Sequence, residues 1–102
     1  MPAEVALVYL RLRLKRVHVL LTNLLGAATS LDMLGADSVD SLQVALTNEL
    51  NSRVQDRQLD ISQVLKVDSL RSELDSIGVA LLFTKHAKYI DQLKTDNHIL
   101  QT

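Results

Sequence analysis

"LVYLRLRLKRVHVLLTNLLG", Leu7–Gly26, supports two readings, and the choice between them decides the fold. Over "VYLRLRLK" apolar and basic residues alternate, which is the period of a half-buried strand. Over the longer window, Leu7, Leu10, Leu14, Val17, Leu21 and Leu24 are spaced 3, 4, 3, 4, 3, which puts them on one side of a helix. The helical period runs through the whole stretch and the alternation does not, so a helix is expected over residues 4–25. Gly26 then closes it, as a residue free to take positive φ. Val8, Leu12 and Val19 fall off the seam, so this helix carries apolar surface on more than one side.

Helical patterning continues down the chain. Residues 26–37 read as a loop with a short apolar anchor, Leu31, Met33 and Leu34. Asp37 or Ser38 stands where a cap belongs, with Asp40 in the following first turn, where a carboxylate meets the positive end of the helix dipole. The apolar positions of this second helix are Val39, Leu42, Val44, Leu46, Leu50 and Val54. The polar segment "NSRVQDRQLD" links to a short apolar piece, Ile61, Val64, Leu65 and Val67. Asp68 or Ser69 offers the cap of a last helix, in which Val67, Leu70, Leu74, Ile77 and Leu81 repeat the 3, 4, 3, 4 spacing. Gly78 weakens it locally. Further on, Phe83, His86, Ile90, Leu93, Asn97 and Leu100 form a second heptad-like stripe, and an Asn within such a seam is the register-setting residue of paired helices. The expectation is an all-α single domain over residues 1–102. It would be a small three- or four-helix bundle with a long C-terminal helix, residues 78–102 serving as an extra association helix.

Composition narrows the function. A formal net charge of -1 lacks the basic excess that phosphate neutralisation requires, so nucleic acid is not an expected partner. The charge is uneven: Arg11, Arg13, Lys15 and Arg16 cluster, and no acid lies between Glu4 and Asp32. A solvated helix flank is the first reading of that cluster, and membrane contact ranks behind it. The same basic, acid-poor start has the character of an organelle transit peptide, although its apolar spacing suits a core helix. The apolar run Val17–Leu25, broken by His18, Thr22 and Asn23, is too short to span a bilayer. With no cysteine there is no disulfide framework, thiolate nucleophile or cysteine zinc site, and a cytoplasmic location is expected. His18, His86 and His98 share no metal-ligand spacing, and nothing arranges Ser, His and Asp as a triad. A non-enzymatic protein without a metal is therefore expected.

One segment carries a specific signal. "LGADSVDSL", Leu34–Leu42, resembles the prosthetic-group motif of acyl carrier proteins and polyketide-synthase carrier domains, Leu-Gly-x-Asp-Ser-Leu. Leu34, Gly35, Asp37 and Ser38 match it, and Val39 replaces the usual Leu. "LDISQVLKVDSLRSEL" is similar to that family's short third helix and the start of its fourth. The resemblance covers about residues 18–77 and implies four helices, with phosphopantetheine on the Ser38 hydroxyl. Its implied partners are a phosphopantetheinyl transferase and acyl-processing enzymes. In that reading Gly35 lets an enzyme approach the backbone, Asp37 orients the site, and Asp40, Gln43 and Glu49 face a basic partner. The phosphodiester would meet the free N–H groups at the helix start. The sequence departs from the family at Asn48, in its weak acidity, in a short first loop, in the absence of Gly or Pro after the second helix, and in the tail from Gly78 to Thr102.

The alternative is a helical structural or adaptor protein that pairs with itself or with a helical partner. Its binding residues would be Phe83, Ile90, Leu93, Asn97 and Leu100. In that reading Ser38 is an ordinary cap.

Overall fold

The computed structural model describes residues 2–26, 38–55 and 57–101. They form α1 (Ala3–Leu25), α2 (Val39–Val54) and α3 (Ile61–Gln101). The described residues contain no strand. The alternating start of α1 is helical because the 3.6-residue seam has a core to face. Leu10, Leu14, Val17, Leu21 and Leu25 are buried, and Leu7 and Leu24 pack beside them. Gly26 ends α1 at φ 64° and ψ 36°, with its N–H donating to the Thr22 carbonyl at 2.8 Å. That left-handed turn strains any residue with a Cβ.

The helices α1 and α2 run parallel to each other and antiparallel to α3. The starts of α1 and α2 meet α3 together, where Leu7, Val39 and Leu81 line one cavity. At the far end Leu24 borders Gln63 and Lys66, and Arg71 of α3 donates to Asn51 of α2 at 3.2 Å. A single core of Leu, Val and Ile joins all three helices, with Leu46, Leu50, Leu74 and Ile77 sealed from solvent. Burying a side chain of this size stabilises by about 1.5–3 kcal/mol, so these contacts dominate the fold.

Three expectations change here. The predicted break before Asp68 does not exist: residues 61–101 are one helix of 41 residues. Its start is set earlier by Asp60. The Asp60 Oδ1 accepts from Gln63 N–H at 2.8 Å, and the Gln63 Oε1 accepts from Asp60 N–H at 3.2 Å. That reciprocal cap satisfies two orphan donors, and no Gly or Pro follows to stop the helix before Gly78. The apolar piece ahead of Val67 is not core either, since Ile61 and Leu65 are exposed. Val44 is likewise not a core position. It lies two residues from both Leu42 and Leu46, which turns it outward, and it is exposed.

Gly78 does not interrupt α3. It admits the Gln43 side chain, whose Nε2 would stand 3.0 Å from a Cβ at that position. From there the Gln43 amide donates to the Leu74 carbonyl at 3.1 Å. Between α1 and α3, the Arg13 Nε donates to Glu73 Oε1 at 2.8 Å and the Arg13 Nη2 donates to Ser76 Oγ at 3.1 Å. The hydrogen bond from Arg13 holds the Glu73 carboxyl below the usual carboxylate range. Partial desolvation opposes this, and the charges of Arg13 and Arg16 add to it.

Candidate functional sites

Ser38 is the cap of α2. Its extended backbone, φ -124° and ψ 157°, turns the hydroxyl over the helix start, where Oγ accepts from Ser41 N–H at 3.2 Å. The same hydroxyl donates to Ser41 Oγ at 3.0 Å and stays exposed. It borders a cavity of about 470 Å³ with Leu7, Val39 and Leu81 among its walls and Arg11, Lys85 and Lys88 beside them. Asp40 lines the same cavity and pairs with Lys85, so Arg11 and Lys88 are the cations there without that carboxylate. Gly35 and Asp37, the other two candidates of this motif, lie outside the described residues, as do Leu31, Met33 and Leu34 of the loop anchor.

The candidate enzyme-facing residues of α2 are engaged within the chain. Asp40 Oδ2 lies 2.7 Å from Lys85 Nζ, tying the start of α2 to α3. Gln43 fills the space at Gly78 of α3. Glu49 Oε1 accepts from Arg53 Nε at 2.6 Å, one turn along the same helix. Asp40 and Glu49 are also nine positions apart, two and a half turns, which places them on opposite sides of α2. They do not form one acidic face. Asn48 is exposed, so its polarity disturbs no packing.

The second candidate site is the distal part of α3. The bundle seam runs through Val67, Leu70, Leu74, Ile77 and Leu81, all buried. Continued at the same spacing it passes Thr84, Lys88 and Asp91, which are polar. The apolar stripe resumes two residues out of phase, at Phe83, Ile90, Leu93 and Leu100, with His86 and Asn97 among them. At about 100° per residue that offset moves the stripe to the back of α3, away from α1 and α2. Phe83 is 71% exposed, Leu93 44% and Leu100 84%, while Ile90 is half-buried. Leu82, Tyr89 and Ile99 add exposed apolar surface beside the stripe, and residues 91–100 are all exposed.

Among the described residues no group of His, Asp and Glu is placed to hold a metal ion, and no helix is long and apolar enough to cross a membrane. No protein-family model, curated protein or solved structure matches this chain. The Asp60–Gln63 cap is absent from the sequence-based expectation, although "DISQ" spells the three-residue spacing that could have found it. The α1–α3 and α2–α3 pairs are absent from it too, because they depend on an antiparallel register that no local pattern encodes.

Proposed function

We propose that this chain is a non-enzymatic helical assembly protein, in which the back of distal α3 pairs with the same segment of a second copy. The carrying observation is the phase jump after Leu81. One continuous helix faces its apolar residues inward through the bundle and then presents them outward, where no other described helix of the chain reaches. A parallel, in-register pair of these segments gives each seam residue an identical partner. Asn97 then meets Asn97 of the second copy, and two amides supply each other with a donor and an acceptor. Lys94 comes opposite the second copy's Tyr89, so the flanking positions bring no like charges together. From Phe83 to Leu100 the seam is about 26 Å long, enough for roughly two and a half heptads.

The chain has no cysteine, which makes the test direct. Leu100→Cys, on the stripe, is expected to form a disulfide-linked dimer under mild oxidation. Thr95→Cys, on the opposite side of α3, is expected to cross-link far more slowly. Equal rates at the two positions would contradict the pairing.

A second reading keeps Ser38 as the attachment point for phosphopantetheine, with an acyl or polyketide intermediate carried on the arm. It is favoured by the exposed hydroxyl at the positive end of α2 and by Arg11 and Lys88 in the same cavity, which would meet the phosphodiester. It predicts that coenzyme A and a competent transferase raise the intact mass of the wild type and not of Ser38→Ala. An unchanged wild-type mass removes it.

A further inference from the structure

The outer face of α1 differs from that of α2. On α2 the one large apolar side chain that stands well exposed is Val44. On α1, Val5, Val8, Leu12 and Val19 are exposed, at 42%, 58%, 55% and 55%. They are two positions out of phase with the buried seam, so they line the back of the helix. Tyr9 and Leu20 widen the strip. Arg11 borders it, and Lys15 and Arg16 follow Leu12 by one turn. These three cations are exposed. Arg13, the other member of the sequence cluster, is turned inward to Glu73 and Ser76. The bundle thus uses Arg13 in its packing and sets Arg16 near Glu73, while Arg11 and Lys15, with the exposed Glu4 ahead of them, border an apolar strip that no other described helix covers.

We infer that this face of α1 docks in the plane of an anionic lipid surface. Charge selects the occupant. Two copies joined through α1 would set Arg11, Lys15 and Arg16 of each against those of the other. The distal α3 of a second copy offers no net negative charge, since Asp40 already holds Lys85 while Lys88 and Lys94 balance Asp91 and Asp96. An anionic bilayer satisfies both properties of the face. Val5, Val8 and Leu12 sink to the acyl boundary, while the long stems of Arg11, Lys15 and Arg16 carry their charges up to the lipid phosphates. The strip from Val5 to Val19 is about 21 Å long, and α1 lies flat rather than crossing. This docking uses α1 and is independent of pairing through α3.

The test is co-sedimentation of the full chain with vesicles of phosphatidylcholine alone and of phosphatidylcholine with phosphatidylserine. Binding is expected only to the vesicles containing phosphatidylserine. The triple variant Arg11→Gln, Lys15→Gln, Arg16→Gln is expected to bind on the order of a hundredfold more weakly, from about fivefold per cation near an anionic surface. The variant Arg57→Gln, Lys66→Gln, Lys94→Gln loses the same net charge elsewhere and is expected to bind nearly as the wild type does. Leu12→Ser, a change at an exposed position, is expected to weaken binding with helicity unchanged by circular dichroism. Absence of wild-type binding overturns the inference, as does equal weakening by the two triple variants. So does binding to polyglutamate but not to vesicles, which assigns the face to an acidic protein.

Discussion

The two halves of α3 contain similar residues and use them oppositely. From Val67 to Leu81 every seam residue is buried against α1 and α2. From Phe83 to Leu100 the apolar residues stand on the other side of the same helix, and most are exposed. Hydrophobicity alone does not separate the halves; phase does up to about residue 90, and beyond it α3 stands clear of the other described helices, with residues 91–100 exposed on every side. A two-residue slip in the pattern, which changes nothing in the helical backbone, turns the apolar stripe away from α1 and α2 and leaves it open to solvent.

The contrast can be broken first where it is strongest. Leu74 is fully buried, and Leu74→Ala is expected to cost about 2–5 kcal/mol, read as a lowered denaturation midpoint. A loss below about 1 kcal/mol would mean that the inner seam does not form the core. Next is the point where α2 meets the junction of the two halves. Ser38→Ala is expected to cost about 1 kcal/mol through the lost cap, whereas Ser38→Asp retains most of the stability because a carboxylate caps as well. Equal losses in both variants would contradict the capping role.

A smaller effect distinguishes the inner half's acid from acids on the distal half. Glu73 titrates below the ordinary carboxylate range in the folded chain because Arg13 donates to it. Its contribution is therefore present above the unfolded carboxylate pKa of about 4.3 and is lost as pH falls through the folded value. The pair is well exposed, 38% and 40%, so Glu73→Gln is expected to cost less than about 1 kcal/mol at neutral pH. The difference from the wild type should close in acid, as seen by denaturation at both pH values. The smallest expected effect sharpens the comparison most. Phe83→Ala should leave the stability of the dilute chain within about 0.5 kcal/mol, although Phe83 is as large an apolar residue as any in the core.

Much of this arrangement is legible in the order of the amino acids. The α1 seam from Leu7 to Leu24 is long enough to override the local strand-like alternation, and the off-seam positions of Val8, Leu12 and Val19 mark the exposed strip. Ser38 and Gly26 are readable as helix ends, although Asp37 competes with Ser38 on sequence alone. The continuity of α3 is hidden because Val67-Asp68-Ser69 imitates a helix start. A cap signal acts only where backbone N–H groups are unpaired, and within α3 those groups already bond to the preceding turn. Arg13–Glu73, Asp40–Lys85 and the seat of Gln43 against Gly78 join residues far apart in sequence. They follow from the antiparallel register of α3, which emerges only when the helices pack. The Ser38 motif shows the opposite limit: its local geometry is that of a cap, and a cap and an attachment site begin from the same exposed hydroxyl.

The most direct test of the division within α3 is sedimentation equilibrium of the wild type and Leu93→Asp over a range of concentrations, with helicity followed alongside. The wild type is expected to behave as a dimer that dissociates on dilution. Leu93→Asp should remain monomeric with its bundle helicity intact. A monomeric wild type, or a variant that still associates, would contradict the assignment of distal α3 to a second copy.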